Sequence, residues 1–475
     1  MNGSSILDGE ALLIKDASEI EGFLADHGLS PKRPPVAIAK PRDTEEVRAV
    51  VSRAGEQGFA VMTMSSGPPH GYGVIFPDRD TILLDLRGMD KVIRVDRRNR
   101  VAIIEPGVIF ATLDAALAPV GLRAMAPMAP RSGKSVLASY LDRVPSMVPR
   151  AQWDLSDPLL CTEVVMGTGD VFRTGSASGP GTLEEQWASG QAQKNPMGPS
   201  SFDFFRLVQG SRGALAVVTW ASVKCELRPR EHRLILVSSE ELAPLTEVVY
   251  RIMHARWGEE CLILDGHALA RLTGGKGGPT FTLLVGIAGF DHRPGQRVVY
   301  QEKGIRRFIR EEGLRATESV GGANPHQLME TILTSSEPYW KDADGAHLDL
   351  YFLTTLDRCA DFSETVDRVC ENESFDRSSI GIYIQPQLGG RVVHFEAIVF
   401  CGDEQDSLER ARSFIRVLAK AAHERGAYFS RLAAPWADLA FTGKPLLKSV
   451  MQRVRQIFDP AGILNPSGPY FEEVS

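Results

Sequence analysis

The segment Ser65-Ser66-Gly67-Pro68-Pro69-His70-Gly71-Tyr72-Gly73 directly follows the apolar run 59–64. Glycines and small hydroxyls at a strand end leave backbone N–H groups free to close on an anionic diphosphate with no side chain in the way. The same composition also makes an ordinary Gly/Pro turn between strands, and taken alone the segment allows either. The G-x-G-x-x-G signature of the common dinucleotide fold is absent after any strand-like run. A second candidate is His347, in Asp344-Gly345-Ala346-His347-Leu348 at the head of a β-type run. His394 and His70 read more readily as structural. No His/Asp/Glu cluster has metal-ligand spacing, and Cys161, Cys225, Cys261, Cys359, Cys370 and Cys401 form no C-x-x-C pair, so neither a metal site nor a disulfide framework is expected.

These loops need elements to hold them. Asp43 and Thr44 ahead of Glu45-Glu46, followed by apolar residues at helical spacing, predict a capped helix between two short strands, a β-α-β unit. Three strand-like runs follow between Thr81 and Val108, and a second β-rich cluster covers 159–166, 171–175 and 214–227. Residues 179–199, rich in Gly, Pro and polar types, predict a surface loop. After Arg228-Pro229-Arg230 the pattern changes to long strands alternating with helices at 243–256 and 406–425, a second α+β unit with a large sheet. The last 50 residues return to helix and end in Pro460-Ala461-Gly462-Ile463-Leu464-Asn465-Pro466. The expected division is 1–228, 229–424 and 425–475.

With 475 residues the chain has room for two or three domains of about 150 residues. At 43% hydrophobic and 24% charged it has a globular composition, and a net charge of -7 supplies no positive field for a nucleic acid. The start lacks a basic stretch followed by an apolar one, and no run of about 18 apolar residues occurs, so a cytoplasmic protein with no membrane span is expected.

Six segments in order, 65–73, 103–117, 135–143, 169–175, 209–219 and 458–466, together resemble the FAD-binding domain of the vanillyl-alcohol oxidase and 4-cresol methylhydroxylase family. The resemblance implies an α+β fold in which a two-subdomain FAD-binding domain is covered by an α+β cap domain with a large antiparallel sheet. It implies that Ser65, Ser66, Gly67, Pro68, Pro69, His70 and Gly71 cradle the diphosphate. Pro106, Gly107, Ser135, Ala138 and Ser139 would border the cofactor, Gly210, Gly213 and Val217 would lie on its adenine side, and Asn465 would reach back to the flavin. His347 would be bonded covalently to FAD, which would raise the flavin's potential. The sequence departs from the family at Pro68-Pro69, where an Arg-Asn pair is usual, and at Ala138-Ser139, where Gly-Asn is usual.

The same resemblance implies that Tyr72 and Tyr428 donate hydrogen bonds to a phenolic oxygen, so that hydride can leave the benzylic carbon of a para-substituted phenol toward FAD. The family's Arg after the second tyrosine is Phe429 here, and Arg431 is the nearby cation. Asp154 falls where the family has an acid near the flavin that balances charge or activates water, with Asp157 as an alternative. A D-2-hydroxy-acid dehydrogenase and an electron-transferring subunit with a separate cytochrome are the competing functions. The acceptor is O2 or a cytochrome, and a homodimer or larger homo-oligomer is expected by analogy.

Overall fold

The computed structural model describes residues 12–14, 16, 18, 20, 34–68, 79–149, 157–198, 203–275, 278–335, 337–343, 345–433 and 436–466. Strands β1 (Leu12–Ile14), β2 (Ala37–Lys40), β3 (Ala60–Met64) and β4 (Thr81–Asp85) form a sheet in the order β1-β2-β4-β3, with β2 and β3 parallel to β4. Helix α1 (Thr44–Gln57) makes the crossover between β2 and β3. Asp43 accepts the Glu46 amide at 2.9 Å to start the helix, and Gly58, at φ 77°, stops it. Val47, Val50, Val51 and Ala54 recur at helical spacing and are buried against Val61, Val165, Val217 and Ile463.

The chain continues through β5 (Val92–Asp96), β6 (Val101–Ile104), α2 (Phe110–Leu117), β7 (Leu122–Arg123), α3 (Val136–Leu141), β8 (Leu159–Met166) and β9 (Val171–Arg173). It then forms α4 (Leu183–Ala188), α5 (Phe205–Val208), β10 (Ala216–Lys224) and β11 (Glu226–Leu227). An antiparallel sheet in the order β5-β6-β10-β8-β9 results, while β11 pairs with β7. The expectation of a loop at 179–199 is corrected by α4. Thr182 and Glu185 form a capping box there, a four-residue signature that makes a helix start even in a Gly- and Pro-rich stretch.

The rest of the chain builds one seven-stranded antiparallel sheet. Its strands are β12 (Glu231–Ser239), β13 (Glu260–Asp265), β14 (Phe281–Gly289), β15 (Ala316–Thr317), β16 (Ala346–Thr354), β17 (Ile380–Gln387) and β18 (Val392–Cys401), in the order β15-β12-β14-β13-β17-β18-β16. Helices α6 (Leu242–His254), α7 (Gly266–Leu272), α8 (Pro294–Glu311), α9 (Pro325–Leu333), α10 (Cys359–Glu373) and α11 (Gln405–Glu424) connect them. One sheet face packs Leu348, Leu350, Phe352, Ile382 and Phe395 against α6, α8, α10 and α11. The opposite face packs Leu236, Leu264, Tyr383 and Ile398 against α7, α9 and Met128, Ala129 and Met147 of the first half. The chain closes with α12 (Ala437–Phe441) and α13 (Pro445–Phe458), after which Val61 N–H donates to Ile463 and Asn465 N–H donates to Val61, both at 2.8 Å, beside β3. No helix among the described residues is long and apolar enough to cross a membrane.

Candidate functional site

Two cavities share Arg131 and Lys134, one within the first half of the chain and one between it and the large sheet. One, about 220 Å³, is bordered by β3, the Ser65-Ser66 turn, Pro106, α3 and the start of β10. Hydrogen bonds across loops build its wall. Ser135 N–H donates to Ser66 Oγ at 3.0 Å, Ser135 Oγ–H to the Pro106 carbonyl at 2.6 Å, and Gly67 N–H to the Gly133 carbonyl at 2.9 Å. Arg131 donates to the Gly67 carbonyl at 2.7 Å. On the far side Gly213, at φ 76°, brings the backbone near enough that a Cβ would lie 2.9 Å from Thr63 Oγ1. Asn465 Nδ2–H donates to the Arg212 carbonyl at 2.6 Å and so fixes the C-terminal segment at the same wall.

The second cavity, about 200 Å³, lies under β16, β17 and β18, and Arg131 and Lys134 line both. Lys134's ammonium makes no hydrogen bond or ion pair among the described residues. Burial lowers its pKa, and Arg131, Arg431 and Arg212 lower it further against the single opposing charge of Asp142. A cation held this way fits an anionic ligand. The elongated pair of cavities, small residues along one wall and cations at the junction fit a dinucleotide such as FAD, with Lys134 and Arg131 toward its negative charge.

Strand β16 presents His347, Asp349 and Tyr351, two residues apart, to the second cavity, and Leu348, Leu350 and Phe352 to the core behind. His347 Nδ1 lies 2.6 Å from Asp342 Oδ1, and Nε2 lies 3.7 Å from Asp349 Oδ2. Lys341, buried under the cavity, donates to Asp349 Oδ2 at 2.9 Å and also to Glu396 Oε1. Glu396 Oε2 is 2.7 Å from His394 Nε2. Burial would raise Glu396, yet Lys341 and His394 hold it well below the usual carboxylate range. Asp349 is raised by burial and by Glu396, against Lys341. Burial lowers His394, leaving it neutral, and pushes the Tyr339 hydroxyl up to about 12. Arg431 stacks its guanidinium 3.7 Å from the centre of the Tyr351 ring and lines the cavity.

Ser65, Ser66, Pro106, Ala138, Gly213 and Asn465 line the first cavity, and Ser139, His347 and Arg431 the second. Ser135 caps α3 behind the wall, accepting the Ala138 amide at 3.1 Å. Gly210 lies at a side pocket with Arg431, and Gly67 and Pro68 lie in the turn itself. Pro69, His70, Gly71, Tyr72 and Asp154 lie outside the described residues. Three expectations find a different placement. Val217 points into the core with Val61 and Val165, because on β10 its neighbours Ala216 and Val218 take the cavity face. Gly107 faces the turn at Arg87–Met89, where a Cβ would sit 2.3 Å from the Arg87 carbonyl oxygen. Tyr428 is 59% exposed and lines neither cavity. Its backbone bridges Leu353, which turns its side chain outward and sends Phe429 into the core against Phe352. Asp157 is buried, accepting from Leu159 N–H and Gln209, and is structural. Lys134, Asp349, Tyr351, Lys341, Tyr383 and Glu396 were not foreseen. The alternation from His347 along β16 is the signal that would have found Asp349 and Tyr351.

Residues 35–175 match the family described as FAD binding domain. Together with the cavity this makes residues 35–175 an FAD-binding domain. The chain is 25% identical, over 98% of its length and 97% of the relative's, to an uncharacterized FAD-linked oxidoreductase of Mycobacterium tuberculosis. Among solved structures it superposes on the 4-ethylphenol oxidase of Gulosibacter chungangensis with a TM-score of 0.82 at 18% identity, covering 99% of this chain and 96% of that one. Substrate-bound p-cresol methylhydroxylase gives 0.82 at 17% identity, covering 98% and 95%. The fold is therefore that of the vanillyl-alcohol oxidase and 4-cresol methylhydroxylase flavoproteins: an α+β FAD-binding domain under a cap with a large antiparallel sheet.

Proposed function

We propose that the protein oxidises a para-substituted phenol or related aromatic alcohol, drawing hydride from the benzylic carbon, with FAD held covalently by His347. The observation that carries this reading is the convergence of His347, Tyr351 and Arg431 on one cavity beside the FAD groove. FAD, when bound, supplies the two-electron acceptor. Arg431 supplies, from two residues beyond Phe429, a fixed cation for a phenolate oxygen, and the stacked Tyr351 ring holds it in place. Tyr351 and Tyr383 stay protonated because burial raises both, so they serve as donors. Asp342 holds His347 by its Nδ1 and leaves Nε2 directed toward the cavity side of Asp349. The product leaves as a quinone methide that takes up water or is lost directly.

The cations Arg131, Lys134 and Arg431 also favour a second reading, a D-2-hydroxy acid whose carboxylate they would hold. We further propose a homodimer in a reducing cytoplasm, where six buried free cysteines are stable, passing electrons to O2 or to a separate cytochrome. The test begins with acid denaturation of the purified protein and mass mapping of any flavin-bearing peptide. Flavin on the His347 peptide, lost in His347→Ala, is expected. Complete release from the wild type overturns the covalent link. Turnover of 4-alkylphenols, and not of D-lactate or glycolate, is the expected substrate result.

A further inference from the structure

Oxidising a substrate through its hydroxyl removes a C–H hydrogen with its electron pair and also an O–H proton, and that proton needs a base at the cavity wall. The described groups there differ in what they can accept. Tyr339, Tyr351 and Tyr383 are kept protonated, Lys341 and Arg431 are cations, Arg131 and Lys134 stand at the junction toward the dinucleotide's negative charge, and His347 is taken by FAD on the reading above. Glu396 has both oxygens committed, one to Lys341 and one to His394. We propose, resting on the reading above of a hydroxyl-bearing substrate, that Asp349 is the base that takes this proton.

Asp349 lines the cavity with its side chain 17% exposed. Its Oδ2 is held by Lys341 on the turn below and flanked by His347 Nε2 on its own strand, whereas Oδ1, itself buried, accepts nothing among the described residues. The carboxylate is thus oriented yet keeps an unused acceptor. The buried string Asp349, Lys341, Glu396 and neutral His394 carries one net negative charge when Asp349 is ionised and none when it is protonated. Burial favours the neutral string, so a proton arriving on Asp349 relieves buried charge. In the step, the C–H bond breaks with its pair passing to FAD. The O–H bond breaks with its pair remaining on oxygen, the proton joins Asp349, and the substrate becomes a quinone methide or carbonyl. Asp349 returns its proton to solvent before the next turnover.

Two readouts test this on the FAD-loaded protein. In Asp349→Asn, kcat is expected to fall about 100-fold or more, and the limb of the kcat/KM profile that rises with pH through the Asp349 ionisation disappears, with Tm and the flavin spectrum unchanged. The second readout needs no turnover. At a pH where free 4-nitrophenol is protonated, the wild type is expected to bind it as the yellow phenolate and Asp349→Asn as the colourless phenol. Identical bound spectra, or a wild-type rate and pH profile in Asp349→Asn, overturn the assignment of Asp349. If the wild type oxidises neither phenols nor hydroxy acids, the proposed function fails and the nitrophenol spectra still decide Asp349. Should Asp349→Asn not fold, Asp349→Glu is read in the same two ways, with a displaced pH limb expected and an unmoved one overturning the proposal.

Discussion

Lys134 concentrates the electrostatics of the groove in one side chain. Its ammonium stands at the junction of the two cavities, beside three guanidinium groups and one acid, with no protein partner among the described residues. An arrangement that costs the charged form this much is offset only when an anion sits there. Lys134→Met therefore removes self-repulsion from the apoprotein and a charge-assisted contact from the complex. Losing a hydrogen bond to a charged group costs about 1.5–3 kcal/mol, so FAD affinity is expected to drop by about 10- to 100-fold, with apoprotein stability unchanged or improved. Titration with FAD of the His347→Ala apoprotein, with and without Lys134→Met, followed by flavin fluorescence and paired with urea unfolding of each apoprotein, checks both signs. An unchanged Kd would place the diphosphate elsewhere. Lys134 was not legible in the sequence because it stands one residue before Ser135, where the recognisable stretch begins. Nothing in Arg131-Ser132-Gly133-Lys134 tells a buried ammonium from a solvated one. His347 was legible because its neighbours carry a pattern. Tyr428 misled because sequence order does not say which way a side chain leaves a short bridge.

Within single elements, alternation does most of the positioning. On β16 it sends His347, Asp349 and Tyr351 to the cavity and Leu348, Leu350 and Phe352 to the core. On β10 it removes Val217 from the groove that Ala216 and Val218 line. The strands of the large sheet were readable as apolar runs, since both of their faces are covered. Helix α8 was not, because its buried Val298, Ile305, Phe308 and Ile309 are diluted by arginines and two glycines. Gly107 shows how a position named by the resemblance has a packing role of its own. The resemblance places it at the cofactor, whereas a Cβ there would meet the Arg87 and Met89 carbonyl oxygens at 2.3 and 2.8 Å. Gly107→Ala must push two backbone segments apart, so it is expected to destabilise the protein by about 1–3 kcal/mol or more, read by urea unfolding. If Gly107 instead contacted FAD, the alanine variant would keep its stability and lose affinity.

For the molecule as a whole, the second cavity exists only while the large sheet stays docked on the first half. A buried ion-pair cluster crosses that boundary. Arg123 on β7 donates to Glu259 Oε1 at 2.8 Å and to Glu260 Oε1 at 2.9 Å, and His232 Nε2 lies 2.6 Å from Glu260 Oε2. The partners lie 136 and 137 residues apart in sequence, so no local pattern announces the contact. Removing one partner of a buried pair leaves an uncompensated charge and costs about 3–5 kcal/mol. Arg123→Met is accordingly expected to lower the melting temperature and to loosen the cap, seen as faster hydrogen exchange in β7 and β13. Burial alone would raise Glu260, but the His232 hydrogen bond and the Arg123 charge outweigh it and hold its pKa below the usual 4.5. A depressed carboxylate contributes stability that is fully present above its unfolded pKa and is lost as pH falls through the folded value. The stability gap between wild type and Arg123→Met should therefore be widest above pH 4.5 and shrink as pH drops below it. Urea midpoints measured across that window check the prediction, and a gap that stays constant with pH would mean that Arg123 holds the cap by packing and not by charge.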